Sequence, residues 1–138
     1  MSAGRINLFA VVVAAVVYWL LGAAWFTLLM RPWLAGIGKT QEQLRQAASP
    51  ALAYLVALVC NLLMAYVIAW AVRATGKQTA VGGMKVAALL WLGLVGAAMA
   101  TEFIFEARSL QIFAIIAGYP LVGGLIMGAI LGAWKRSP

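Results

Sequence analysis

Few side chains in this sequence can do chemistry, and the most suggestive are two carboxylates four residues apart. Glu102 and Glu106 share one face if their segment is helical, and two carboxylates on one face repel each other unless a cation intervenes. Arg108 is the nearest cation, so one interpretation is a local ion pair between Glu106 and Arg108. The alternative is that Glu102, set deeper in an apolar stretch, binds a proton or a cation during transport.

Residue types that catalytic sites need are otherwise scarce. The chain has no histidine, three acidic residues and a single cysteine, Cys60, and it carries neither a phosphate-binding glycine loop nor a nucleophile elbow. We therefore expect no enzyme activity, no cofactor, no metal site and no disulfide within one chain.

The elements that must position these residues are membrane helices. Hydrophobic residues make up 66% of the 138 residues and charged residues only 9%, against about 25% charged in a soluble domain. Four apolar runs are long enough to cross a hydrocarbon layer of about 30 Å; they cover about 6–30, 50–72, 79–103 and 110–134. Because the later connections are short, the sequence predicts one all-α domain, an up-down-up-down four-helix bundle.

The connection at 31–49 is the long one. Thr40 is followed three residues later by Gln43, which is the pattern of a capping box. We expect a short helix here that lies on the membrane surface.

The net charge of +7 is interpreted as membrane orientation rather than nucleic-acid binding, because the cations lie at run ends and in connections. Six are on the side of the termini: Arg5, Arg73, Lys77, Lys85, Lys135 and Arg136. Four are on the side of the long connection: Arg31, Lys39, Arg45 and Arg108. The difference predicts cytoplasmic termini, and the expected partners are the lipid bilayer and other membrane helices.

Glycines recur every four residues in the fourth run, at Gly124, Gly128 and Gly132. Glycine on one face lets two helix backbones approach closely. This helix-packing face fits either another helix of the same chain or a seam between copies in a homo-oligomer.

Polar residues inside the runs are where a site would have to be. Six of them lie between the midplane and the outer surface in the predicted topology, and they are candidates to line one outward-facing cavity: Trp25, Thr27, Asn61, Thr101, Glu102 and Tyr119. The alternative for each is that it caps a helix or hydrogen-bonds a neighbour.

Pro120 falls in the middle of the fourth run. It removes one backbone donor and crowds the carbonyl of Ile116, so we expect a kink near 116–118. The freed carbonyl is open to a ligand, or to a neighbouring side chain or water.

Four stretches of sequence, taken in order, resemble one family. They are Trp25-Phe-Thr with Trp33 after the first run, Phe105-Glu-Ala-Arg108, Ala117-Gly-Tyr119, and Met127-Gly-Ala-Ile-Leu-Gly-Ala-Trp134. Together they resemble the bacterial membrane proteins called domain of unknown function 1761, over nearly the whole chain. The resemblance implies a four-helix integral protein of the bacterial inner (plasma) membrane, and it brings no established activity.

The chain departs from the family pattern at one position. The family carries a histidine directly after the Gly-Tyr pair, where this chain has Pro120. Any proton or metal role of that histidine is therefore absent here, and the resemblance draws attention instead to Trp25, Glu106, Arg108 and Tyr119.

Two classes of function stay open. The first is a non-catalytic structural or accessory subunit that packs against other membrane helices, and the small number of ionisable groups inside the runs favours it. The second is a small homo-oligomeric transporter or channel-like protein. Its candidate polar site comprises Trp25, Asn61, Glu102, Glu106, Arg108 and Tyr119.

Overall fold

The chain forms an all-helical bundle in a computed structural model that describes residues 5–134. Its elements are α1 Leu8–Leu28, α2 Met30–Ile37, α3 Gln41–Ala47, α4 Pro50–Ala74, α5 Ala80–Leu90, a π-helical segment Trp91–Gly96, α6 Ala97–Phe105 and α7 Leu110–Ala133. Four spans are long and apolar enough to cross a membrane: α1, α4, the continuous Ala80–Phe105 (the third span) and α7. Lys135 and Arg136, counted in the charge difference, lie outside the described residues.

Each span begins at a polar residue that caps it. Asn7, Ser49, Thr79 and Ser109 each accept a hydrogen bond from a backbone N–H three residues on. A helix leaves its first N–H groups without intrahelical partners, and these side chains satisfy one of them. The sequence therefore sets the start of every span locally.

The long connection contains two helices where one was predicted. The capping box of α3 is present, with Thr40 and Gln43 bonding each other's backbone N–H groups. The additional helix, α2, follows a break at Leu29. Pro32 lies in the first turn of α2, where its missing N–H has no intrahelical partner to lose. The helix therefore ends at Leu28 and a new helix starts at Met30, so that Pro32 occupies a first turn rather than a helix interior.

The core lies in the half of the bundle nearest the termini. Small side chains dominate it on α1 and α4, where Ala14 and Ala65 are completely buried. Val86 and Ala87 of α5 and Met127 and Leu131 of α7 complete this cluster. We call this part the closed half, and the part nearest α2 and α3 the open half.

Glycines bring α5 and α7 into backbone contact in the closed half. A β-carbon on Gly128 would overlap the backbone of Gly83, and one on Gly132 would overlap the Thr79 carbonyl. The end of α7 is also held from this side, because the Gln78 amide donates to the Leu131 carbonyl at 2.7 Å and to the Gly132 carbonyl at 2.9 Å. Helices α5 and α7 therefore meet backbone to backbone, and Gln78, just before the N-cap of α5, also holds the end of α7.

The third span is not a plain α-helix. Its middle, Trp91–Gly96, is π-helical, and the N–H of Ala97 bonds the carbonyl of Leu92, five residues back. A β-carbon on Gly96 would lie 2.8 Å from the Trp91 ring. The extra residue of a π-turn rotates the following helix, and glycine makes room for the indole there.

Candidate ligand-binding cavity

A cavity of about 690 Å³ lies in the open half, between α1 and α4 and beneath α2 and α3. One face of α1 lines it, at Trp19, Gly22, Ala23, Phe26 and Thr27, and Met30 at the start of α2 lines it as well. One face of α4 lines it opposite, at Pro50, Ala53, Tyr54, Ala57 and Asn61. Both sets follow the three- and four-residue spacing of a helix face. The two helices thus each turn one continuous stripe towards the cavity.

Large aromatic side chains brace the walls. The indole N–H of Trp19 donates to the carbonyl of Tyr54 at 3.1 Å, and the two rings meet edge to face with centroids 6.0 Å apart. The rings of Phe26 and Trp33 pack with centroids 4.8 Å apart on the side of α2 and α3, which form the roof of the cavity. Small residues such as Gly22 lie between these aromatic side chains, and the volume they do not fill forms the cavity.

Tyr119 closes the cavity on the α7 side and is held firmly. Its hydroxyl donates to the carbonyl of Tyr18 at 2.7 Å, and the two rings stack with centroids 4.4 Å apart. Gly22 and Gly123 permit this stack, because a β-carbon on Gly22 would meet the Tyr119 hydroxyl at 2.5 Å and one on Gly123 would overlap the Tyr18 ring. The wall on this side is therefore built from contacts within the bundle itself.

Polar groups reach the cavity at two levels. Gln41 and Arg45 of α3 line its roof, and Arg45 is exposed and has no ion pair among residues 5–134. Asn61 lies at the deep end and is only 6% exposed. The site can therefore offer a ligand apolar and aromatic contact, one neutral amide at its deep end and one cation beside α3.

Of the six residues predicted as one polar site, only Asn61 and Tyr119 line the cavity, and the Trp25 ring lies beside Tyr119 with centroids 6.3 Å apart. Thr27, the first-run hydroxyl, also lines the cavity. Glu102 and Thr101 are exposed on the third span, and neither lines this cavity. The single outward-facing site of the sequence analysis is thus divided between two parts of the molecule.

Glu106 and Arg108 form the predicted local ion pair, with the Arg108 Nη1 3.4 Å from the Glu106 Oε1. The guanidinium also lies 4.0 Å from the centre of the Phe103 ring, which is buried. Arg108 therefore has a cation–π contact as well as a carboxylate, and both anchor the loop between α6 and α7.

Trp25, the remaining member of the predicted set, contacts α7 near Pro120. Its indole N–H donates to the Ile115 carbonyl at 2.9 Å, and the indole of Trp91 donates to the Ala117 carbonyl at 3.0 Å. Helix α7 is continuous through Pro120. Side chains thus bind the carbonyls on either side of Ile116, while the kink and the partner of the Ile116 carbonyl itself stay predictions.

The predicted glycine face is also divided. Gly128 and Gly132 face α5 of the same chain, whereas a β-carbon on Gly124 would meet nothing within 4 Å. Two of the three glycines are therefore used inside the bundle.

Sequence reasoning missed most of the cavity. Trp19, Tyr54 and Arg45 were not candidates, although the stripes on α1 and α4 carry a readable signal. Each pairs small residues with aromatics at helical spacing, as in Trp19, Gly22 and Phe26. Such a stripe predicts an uneven helix surface that cannot close completely on its neighbour.

The comparisons with known proteins give a family and no activity. Among the curated proteins and among the solved structures, nothing matches the chain. A family model described as "Protein of unknown function (DUF1761)" matches residues 9–132, which covers all four spans except Leu8 and Ala133 and includes the whole lining of the cavity. The chain therefore belongs to the DUF1761 family.

Proposed function

We propose that this protein binds an apolar small molecule or lipid chain from the bilayer in the cavity between α1 and α4, without catalysis. The cavity itself carries the proposal. Its volume of about 690 Å³ is in the range of small-molecule sites, about 300–1,000 Å³, and such sites are mostly apolar and aromatic with few polar groups.

The construction of the walls supports binding rather than loose packing. Rigid aromatic side chains are fixed by hydrogen bonds at Trp19 and Tyr119, so the space exists before a ligand arrives. A preformed site spares the ligand the cost of ordering the protein.

The roof supports an amphipathic orientation. Helices α2 and α3 connect two spans and therefore lie at one end of the bundle. Arg45 on this roof is available to a polar or anionic headgroup at the membrane surface, and the apolar body then extends towards Asn61.

A cavity-filling variant tests the proposal. Ala57→Phe puts a ring into the cavity, whereas Val59→Phe puts the same ring on the 50% exposed outer face of the same helix. The probe is 1,6-diphenylhexatriene, an apolar rod, and the measurement is saturable energy transfer from tryptophan in detergent micelles.

We expect saturable transfer in the original protein and in Val59→Phe, and a loss of at least about tenfold in affinity in Ala57→Phe because the probe's contacts are displaced. Equal binding by all three proteins would contradict the proposal. Absence of saturable binding in the original protein would contradict it as well.

A second candidate function rests on the third span. Only 11% of its most apolar stretch is buried, against 28%, 33% and 39% for the other spans. Glu102 is exposed there, and no partner to it is found within residues 5–134. A carboxylate that faces lipid is costly, which supports an accessory or homo-oligomeric role in which a partner helix covers this face.

Association by the third span predicts a defined assembly. Native mass spectrometry after mild extraction from the cell's own membrane measures its stoichiometry and companions together. We expect either a homo-oligomer or a complex with other chains, weakened by Ala100→Phe on the exposed face of the third span. A monomer in the original protein would contradict this role while leaving ligand binding untouched.

A further inference from the structure

Asn61 is a buried polar residue that the bundle does not use. It lies eleven residues after the start of α4 at Pro50, which places it about 16 Å along the helix axis and near the middle of a hydrocarbon layer about 30 Å thick. It is 6% exposed. Among residues 5–134, no group donates a hydrogen bond to its side-chain amide or accepts one from it.

The unpaired amide keeps access to the cavity. Within the described part of the chain, no enclosed side-chain nitrogen or oxygen lacks a partner. Since Asn61 has no partner, its polar atoms must retain accessible surface, and the residue lines the cavity. An amide in an apolar medium without hydrogen bonds is strongly disfavoured, so its partner has to come from what fills the cavity.

We infer that Asn61 hydrogen-bonds a neutral carbonyl or hydroxyl group of the cavity ligand. The ligand then has a mostly apolar body with a neutral oxygen function at the end that reaches deepest into the bilayer, in addition to any headgroup beside Arg45. This inference rests on the proposed function, and it adds the chemical class of what is bound.

The chemistry of the deep end supports a neutral group. An asparagine amide offers two N–H donors and an oxygen acceptor, so it can bond a ketone, an ester or an alcohol. The one charged residue that lines the cavity is Arg45, on the roof. A charged group near the bilayer centre without a counter-charge is much more costly than a carbonyl, so Asn61 selects the neutral group.

A pair of ligands that differ in one oxygen tests the inference. The probes are dodecane and 2-dodecanone, titrated separately against the protein in detergent, with dissociation constants taken from the rise in the unfolding midpoint. We expect 2-dodecanone to bind about tenfold more tightly than dodecane, the factor that one net hydrogen bond supplies.

Two variants show whether Asn61 makes the difference. Asn61→Leu keeps a similar shape without the amide, and we expect it to bind both probes equally. Thr101→Val removes another polar group from a span, outside the cavity, and we expect it to retain the preference for the ketone.

An infrared measurement on the original protein keeps the test independent of how the variants fold. With a ¹³C-labelled carbonyl, bound 2-dodecanone should show a stretch shifted to lower frequency by the hydrogen bond. An unshifted carbonyl, or equal affinity for both probes in the original protein, would overturn the inference and leave apolar binding intact. If neither probe binds, the proposed function fails too.

Discussion

The closed and open halves of this bundle both use small residues between helices, yet the results differ. Between α5 and α7, Gly83 faces Gly128 directly and the backbones touch. Between α1 and α4, Ala53 and Ala57 face a stripe in which Trp19 and Phe26 flank Gly22, and a cavity remains. Small residues let two helix backbones approach closely, and in this bundle they do so between α5 and α7 but not between α1 and α4, where large aromatic side chains share the stripe.

The difference also separates stability from function. The closed half contains the buried cluster and the capping of α7 by Gln78, so it is where the fold is most sensitive to added volume. The open half contains the cavity. A larger side chain there should therefore abolish ligand binding at a volume that the fold still tolerates.

The largest expected effect is on the closed half. Gly128→Leu forces a side chain into the Gly83 backbone, and we expect a loss of about 3 kcal/mol or more in the free energy of unfolding, or no folded protein. Gly124→Ala is the control, because its β-carbon meets no atom within 4 Å. The control should be neutral or more stable by up to about 1 kcal/mol, since alanine favours helix over glycine. Chemical denaturation in detergent measures both, and equal effects would contradict the closed contact.

A smaller effect is expected where α7 ends. Gln78→Leu removes both side-chain hydrogen bonds to the last turn of α7, which should cost about 1–2 kcal/mol in unfolding free energy. Gln111→Leu, an exposed residue in the first turn of α7, serves as the matched control. Hydrogen exchange should show faster opening of the end of α7 in the first variant alone. Unchanged exchange in Gln78→Leu would show that this cap does not hold the helix.

The wall of the open half should respond more mildly. Tyr119→Phe removes the hydroxyl that donates to Tyr18 while keeping the stacked ring, and we expect a loss of about 1 kcal/mol. Tyr66→Phe, at an exposed tyrosine of α4, should change the midpoint of thermal unfolding very little. A similar shift in both variants would mean that the Tyr119 hydrogen bond contributes nothing to the wall.

The smallest effect is expected outside both halves. Glu106→Gln removes the ion pair with Arg108. The Glu106 side chain is 52% exposed, and pairs this exposed are worth about 0–1 kcal/mol. The Arg108 contact with Phe103 remains in this variant. Unfolding in low and high salt should differ little between the two proteins. A loss greater than that of Tyr119→Phe would contradict the ranking.

The sequence predicted those features of the fold that are determined within a single stretch of neighbouring residues. The four spans follow from apolar length, the α3 helix from Thr40 and Gln43, and the ion pair from the nearness of Glu106 to Arg108. Each depends on residues close together in the chain, so no knowledge of helix packing was needed.

What the sequence could not predict depends on distances between helices. Asn61 was a candidate by its depth, but whether Glu102 shares its cavity is decided by how the third span is placed, and that span packs chiefly on α7. The π-helical turn likewise begins at Trp91, whose indole donates to the Ala117 carbonyl on another helix. Depth in the membrane is readable from a sequence, whereas the facing of each helix has to come from the structure.

The most direct test of ligand binding is native mass spectrometry of the protein released gently from its own membrane, measured beside Ala57→Phe and Val59→Phe. We predict a bound small molecule on the original protein and on Val59→Phe, with the mass of an apolar compound, and its absence from Ala57→Phe. An adduct that persists in Ala57→Phe, or no adduct on the original protein, would contradict the cavity as a binding site.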